Sequence, residues 1–281
     1  MARSPQELVK GDVNISSLPM VAMKLNDVMN NPRSSAIDIG KVVGEDQGLT
    51  ARLLKLANSP FYAFPSRIET ITQAVLVIGT QQIRDLVLAT SVMKMFEGIP
   101  AEIINMESFW SHCIACGVAA RIIAIYRREP NVERFFVAGM LHDLGRLIMF
   151  TKMPKESKEI LTLCKENKEA LFKAERERIG FNHADVGGAL LKEWRLPGSL
   201  VEMAEFHHNP GRAVQFPTET AIIHVADIIT HAMQIGGSGE SFVPPLSENA
   251  WDKIKLPAAT LTSVMEQTDK QFAEAVKFIG Q

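Results

Sequence analysis

Five of the seven histidines in this 281-residue chain fall in a pattern with two aspartates: His112, His142 followed at once by Asp143, His183, the neighbours His207 and His208, then Asp227. Neutral imidazole nitrogen and carboxylate oxygen suit borderline divalent ions such as Fe, Mn, Zn, Co or Ni, whereas an oxygen-only set would point to Mg or Ca. Five imidazoles and two carboxylates exceed what one tetrahedral ion needs. They would suit two ions sharing an aspartate, with Asp143 as the candidate bridge. Such a pair can activate water near neutral pH and clamp the oxygens of an in-line phosphoryl displacement, which makes a phosphoester the natural substrate class. Arg146 lies four residues after His142 on the same helical face, where its planar fork could grip a phosphate or pair with a surface Glu.

The alternative for each histidine is a hydrogen-bonded packing role on an apolar helix. His224 and His231 flank Asp227 on its own face, three before and four after; each reads as structural, with a rival-ligand or outer-partner role open. His207 and His208 diverge by about 100° on a helix, so both reach one site only near a helix end, and Pro210 supplies such an end.

The elements that must carry these side chains are helical. Apolar residues recur three and four apart along the chain, and alternating runs bounded by hairpin turns are absent, so the fold class is all-α. Ser4-Pro5-Gln6-Glu7 opens a short helix that Gly11 stops; a second runs from Ser17 to near Pro32, and Ser35 with Asp38 opens a third. Leu49, Leu53 and Leu56 mark a fourth. The stretch Asn58–Pro65 is too aromatic for a bare loop, and Thr70–Ile78 and Thr80–Phe96 are two more helices separated by Gly79. The boundary falls at Glu97–Asn105, giving residues 1–100 as an amino-terminal helical lobe and 101–281 as a second lobe packed with it and bearing the metal site.

In the second lobe a long apolar helix spans Glu107–Arg128, and one continuous helix runs from Val132 through Phe150. Residues 152–178 mix Lys/Arg with Glu over a thin stripe of Ile160, Leu163, Leu171 and Ala174, which reads as a solvated helical face. Helices at His183–Trp194, Ser199–His208, Thr218–Gln234 and Ala258–Phe278 follow, with Gly236–Gly239 as the most mobile-looking point. There is no internal repeat.

Thirty basic and 32 acidic residues give a net charge of −2, so no positive field of the kind that dominates nucleic-acid binding exists, and nucleic acid is an unlikely partner. Three cysteines cannot form a closed disulfide framework and fit a reducing compartment. The opening residues lack an apolar signal region and no 18-residue window is uninterruptedly apolar, so the expectation is a soluble cytoplasmic protein with no membrane partner. Cys113 and Cys116 have redox-motif spacing without the strand context that motif needs, and read as helix core. Met20, Met23, Met29, Met93, Met95 and Met106 read as core gap-fillers rather than a partner groove. Phe61, Tyr62 and Phe64 are the more testable partner surface, against packing on the first lobe.

The run His142-Asp-Leu-Gly-Arg146 is preceded by Phe109-Trp110-Ser111-His112. It is followed by Phe181-Asn-His183-Ala-Asp-Val-Gly-Gly, Trp194-Arg-Leu-Pro197, His207-His208 and His224-Val-Ala-Asp227. Together with Leu18-Pro19, Ile39–Val43, Leu53-Leu54, Leu56-Ala-Asn-Ser59 and Ile71–Gly79, this resembles the HDOD family over roughly residues 15 to 235. The resemblance implies an all-helical protein of the HD superfamily, related to metal-dependent phosphohydrolases, whose HDOD members mostly serve as bacterial signalling or regulatory modules. The five histidines and two aspartates match the metal ligands of the related HD-GYP cyclic-dinucleotide phosphodiesterases. By that resemblance His112, His142, Asp143 and Asp227 would hold one ion and Asp143, His183, His207 and His208 the other, with Fe or Mn favoured and Zn, Ni or Co as alternatives. Three departures stand out. No glycine-tyrosine-proline signature follows the paired histidines, Arg146 stands where those enzymes have Lys, and Ser108 stands where some relatives place a glutamate ligand.

The expectation is therefore a bacterial signal-transduction HDOD module that retains a di-metal site and works through a protein partner at its amino-terminal lobe. The alternative is a working metal-dependent phosphohydrolase on a nucleotide or cyclic dinucleotide, with Asp143 and Arg146 as catalytic residues. A third class is a helical adaptor with hydrogen-bonded histidines and no metal.

Overall fold

The computed structural model describes residues 4–10, 17–31, 33–59, 62, 64–96 and 99–279, and every regular element among them is helical. Gly11, Pro32, Phe61 and part of the expected boundary, Glu97 and Gly98, lie outside the described residues. The chain clusters into two compact units, Leu18–Glu97 with Asp269–Gln281, and Met1–Ser17 with Gly98–Thr268.

In the first of these, helices start where the chain offers a cap. α1 (Pro5–Val9) belongs to the other unit, but it sets the pattern: Ser4 and Glu7 close a reciprocal capping box. α2 (Met20–Asn30) follows Pro19, and α3 (Ala36–Gly44) opens on the Ser35–Asp38 box. Asp46 accepts from the Leu49 N–H to start α4 (Gln47–Ala57), and Thr70 with Gln73 boxes α5 (Ile71–Ile78). Gly79, at φ +106°, separates α5 from α6 (Thr80–Met93). α3 packs on α5, and α2 on α3 and α6, around Leu25, Val43, Leu49, Leu53, Leu56 and Val87. The Asn58 side chain pins the loop that follows α4, donating to the Leu54 and Ile68 carbonyls and accepting from the Ile68 N–H. The rings of Tyr62 and Phe64 stack within that loop.

The methionines differ from expectation. α2 buries Ala22 and Leu25, which turns Met20 and Met23 outward, and Met29, Met93, Met95 and Met106 are half-buried.

The second unit is built on α7 (Met106–Tyr126), packed against α8 (Glu133–Leu141) and α14 (Pro217–Ala232). α7 is long and apolar enough to cross a membrane by composition, with a mean hydropathy of 1.5, yet 83% of that window is buried inside the protein. It is a core helix, and Cys113 and Cys116 are buried in it as free thiols. α9 (Leu144–Lys152) packs on α12 (His183–Glu193), which packs on α13 (Gly198–Glu205). α1 sits on α12 and α9, so its Leu8 and Val9 are buried. α10 (Pro154–Asn167) and α11 (Leu171–Ile179) lie between, and α15 (Glu248–Ile254) and α16 (Thr260–Ile279) end the chain.

Three readings of this unit change. The helix expected through Val132–Phe150 is two helices, broken at His142 and Asp143, where Asp143 leaves helical geometry at φ −99°, ψ 7°. Residues 154–179 are not only a solvated face. Ile160, Cys164, Leu171 and Ala174 form a buried cluster, because the turn at Lys168, at φ +55°, folds α11 back on α10. The Gly236–Gly239 turn is packed rather than loose, with Ser238 fully buried. α15 was not anticipated, since its seven residues are too few to show a periodicity.

Candidate metal centre

The break between α8 and α9 delivers the first pair of site residues. His142 caps the end of α8 by donating from Nδ1 to the Gly139 carbonyl at 2.6 Å, and Asp143 then precedes the first turn of α9. α9 can lie this close to α12 because residue 145 is glycine: a Cβ there would stand 1.9 Å from the His183 carbonyl oxygen. His183 is the first residue of α12, set by the Asn182–Asp185 capping box. His207 and His208 follow the end of α13 in a turn, as the neighbouring pair requires, and His207 Nδ1 donates to the Ala204 carbonyl at 2.7 Å. His112 comes from α7 and Asp227 from α14.

All seven residues are brought together. Two sets of imidazole nitrogens face the two oxygens of Asp143. His183 and His207 Nε2 lie 3.3 and 3.7 Å from Oδ1, while His142 and His112 Nε2 lie 3.5 and 3.9 Å from Oδ2. Asp227 Oδ1 stands 3.1 Å from His112 Nε2 and 3.6 Å from His142 Nε2. His208 Nε2 is 2.9 Å from His183 Nε2 and its ring stacks on Phe172. His112, His142, Asp143, His183, His207 and Asp227 are buried, and His208 is half-buried.

This donor set fits a divalent cation. Nδ1 of His142, His183 and His207 is already spent as a donor, so in each neutral ring Nε2 is a lone pair. Those lone pairs point at carboxylate oxygens. Nε2 of His142 and His207, both oxygens of Asp143 and Oδ1 of Asp227 have no well-formed hydrogen bond among the described residues. Lone pairs facing lone pairs in a buried site are relieved by a cation between them. Ligands about 2.0–2.1 Å from an ion stand about 3.0–3.4 Å from one another, and the separations here, 3.1 to 3.9 Å, lie in that range and up to half an ångström above it.

The electrostatics keep the rings of His112, His207 and His208 in the ligating form. Burial first, and neighbouring charges second, push His112 down to about 4 and His207 down to about 3, and hold His208 well below the ordinary histidine value. Burial would raise Asp143, but Arg146, His142, His183 and His207 outweigh it and hold the carboxyl well below its usual range. Burial would lower His142, but Asp143, Cys116 and Asp227 raise it. In chelated protein, His112, His207 and His208 make the unfolded chain the stronger proton acceptor between pH 6.5 and about 4. Their contribution to stability is complete above pH 6.5 and is lost as the pH falls through that window; His142 and the buried Glu240, both raised, run the other way. The melting temperature of chelated protein should therefore drop from pH 7 to pH 4.5, and a flat or rising profile would contradict this balance.

Arg146 is brought to the site but not to its surface. Its side chain is 1% exposed, with Nε 3.0 Å from Asp143 Oδ1, so it balances buried charge where the spacing had suggested a phosphate fork or a surface pair. His224 is structural, donating from Nδ1 to the His207 carbonyl and accepting from the Ser247 N–H.

Sequence reasoning missed two neighbours of the centre. Glu175 on α11 is buried, and its Oε2 accepts from both the backbone N–H and Nδ1 of His183, at 2.9 and 2.6 Å. Such a carboxylate fixes a ligating histidine's tautomer and orientation. It was hidden in a charge-rich stretch, where only the eight-residue spacing to His183 could have drawn notice. Glu240 is the second: its Oε2 accepts from the Leu171 N–H, burial raises its carboxyl, and Arg146 opposes that rise.

The HDOD domain model matches residues 15–210. An HDOD domain protein of unknown function from Geobacter sulfurreducens superposes with a TM-score of 0.74 at 24% identity, covering 94% of this chain and 92% of that one. A provisionally named phosphohydrolase from Shewanella amazonensis gives 0.72 at 23% identity, over 94% of this chain and 93% of that one. At these identities the likeness shows the fold. An uncharacterised protein of Treponema pallidum is 23% identical over 197 residues; the match spans 70% of this chain but 38% of that relative's length.

Proposed function

The chain belongs to the HDOD family, and from that premise we propose that it is a bacterial signal-transduction module whose second unit retains a site for two transition-metal ions. The observation that carries this reading is the split of the histidines between the two oxygens of Asp143. One ion would be held by His112, His142, Asp143 and Asp227, the other by Asp143, His183, His207 and His208, with Fe or Mn favoured over Zn, Ni or Co. Bound there, the ions would supply Lewis-acid charge toward a phosphoryl oxygen. The chain's own residues hold the imidazoles in place, bury every one of these ligands except the half-buried His208, and keep Asp143 ionised through Arg146.

The regulatory reading is favoured over turnover by the state of Arg146, since a buried guanidinium engaged with Asp143 is not free to clamp a substrate. The protein partner would act at the amino-terminal unit, where Met20 and Met23 are exposed. Three buried free thiols suit a cytoplasmic setting.

One observation favours the second reading, a metal-dependent phosphohydrolase. His208 lines a cleft of about 420 Å³ that carries Lys173, Arg176 and Arg212 beside the carboxylates Glu177, Asp185 and Glu205, with Arg176 paired to Asp185 at 2.6 Å; its size fits a phosphoester such as a nucleotide. The test is a panel of nucleotides and cyclic dinucleotides offered to Mn- or Fe-loaded protein. Ligand binding without hydrolysis is the expected result. Turnover that is lost with Asp143→Ala would transfer the assignment to the enzyme.

A further inference from the structure

We propose that His231 is an additional metal ligand, joining His112, His142 and Asp227 on the ion at the Asp227 side of the centre. This rests on the two-ion reading above and assigns unequal roles to the two ions.

His231 lies one helical turn after Asp227 on α14, so both side chains leave the same face. Its Nε2 is 3.3 Å from Asp227 Oδ1, the oxygen that is also 3.1 Å from His112 Nε2 and 3.6 Å from His142 Nε2. The side chain is 8% exposed, and neither His231 Nε2 nor Asp227 Oδ1 has a well-formed hydrogen bond among the described residues. The rings of His112 and His231 are 4.4 Å apart and tilted by 40°, with both Nε2 atoms turned toward the shared oxygen rather than stacked face to face. His112, Asp227 and His231 each offer an atom within 4.8 Å of the other two.

A hydrogen-bonded alternative carries a cost in buried charge. Three imidazoles around one carboxylate oxygen would each have to present an Nε2–H, and for His142, whose Nδ1 already donates to the Gly139 carbonyl, that means a charged ring inside the protein. One cation beside the oxygen would satisfy the nitrogens as well, and the nitrogen-to-oxygen separations of 3.1, 3.3 and 3.6 Å are close to the edges of a coordination polyhedron.

The fold also fixes His231 against the helix that bears His112. Just past α14 the chain turns at Gly236, at φ +65°, where a Cβ would stand 2.3 Å from the Ser108 carbonyl oxygen and 2.4 Å from the His112 nitrogen. The Gly237 N–H donates to that same Ser108 carbonyl at 3.0 Å. The end of α14 is thus held on the first turns of α7.

With His231, the ion at Asp227 would draw on His112, His142, Asp143, Asp227 and His231. The other ion keeps Asp143, His183, His207 and the half-buried His208, which lines the cleft. Exchangeable positions, and any phosphoester contact, then belong to the ion at His208, while the ion at His231 is the tightly held one.

The test is stepwise Co(II) loading of the chelated full-length protein, wild type against His231→Gln, in competition with a chromophoric chelator. The expected result is two binding steps in the wild type. In the variant, the tighter step should weaken by about tenfold or more, with a changed visible spectrum, while the other step holds. Two unaltered steps in a folded variant would overturn the assignment, as would equal weakening of both. If the variant does not fold, paramagnetic proton spectra of the wild type decide: hyperfine-shifted signals from six imidazole rings support the proposal and from five overturn it. A wild type that takes up no Co(II) would sink the two-ion reading itself, and this inference with it.

Discussion

Asp143→Ala, purified without chelator beside the wild type, is expected to carry no transition metal where the wild type carries about two ions per chain. The reason is the double exposure of one carboxylate to two histidine sets: Oδ1 to His183 and His207, Oδ2 to His142 and His112. Loss of an outer hydrogen-bond partner costs about 10–100-fold in metal affinity, and removing a shared ligand should exceed that at both ions together. The substitution also leaves the Arg146 guanidinium buried without its closest anion, which for a broken buried pair costs about 3–5 kcal/mol. Elemental analysis by mass spectrometry and a urea melt check the two halves separately. Retention of both ions by a folded variant would exclude Asp143 as the bridge.

Glu175→Ala should have the next largest effect, through a residue that touches no ion. Its Oε2 accepts both the backbone N–H and Nδ1 of His183, so truncation strands two buried donors, at about 1–3 kcal/mol each. His183 then loses the partner that fixes its tautomer. Affinity should fall by up to about 100-fold at the ion shared with His207 and His208, and little at the ion near Asp227. Glu175→Gln keeps an acceptor and should recover part of the loss. Equal metal affinity in Glu175→Ala and wild type would show that α11 is only a packing element.

Much of this was legible along the chain because it is local. A serine or threonine three residues ahead of an acid or amide closes its own capping box, and the Ser4, Ser35 and Thr70 boxes form as their spacing requires. Helical periodicity is likewise a property of neighbouring residues, so the all-α class followed from it. The seven candidate ligands were also available, because residue type alone says which side chains carry ligating atoms, and the need for a helix end beside His207 and His208 followed from geometry within one turn.

What the sequence determined, then, is the helical class, most helix starts, and the chemistry that His112, His142, Asp143, His183, His207, His208 and Asp227 could support. What only the tertiary structure decided is where charge becomes buried and which atom faces which. Glu175 looks like any surface glutamate until the turn after α10 folds α11 against the start of α12, and Arg146 looks like a free fork until α9 packs inward. Helix α1 comes first in the chain yet buries Leu8 and Val9 in the unit that α12 and α9 build. His231 acquires its place beside His112 only because the Gly236 turn docks on α7. Desolvation and the facing of lone pairs depend on contacts between residues far apart in sequence, and no local spacing encodes them.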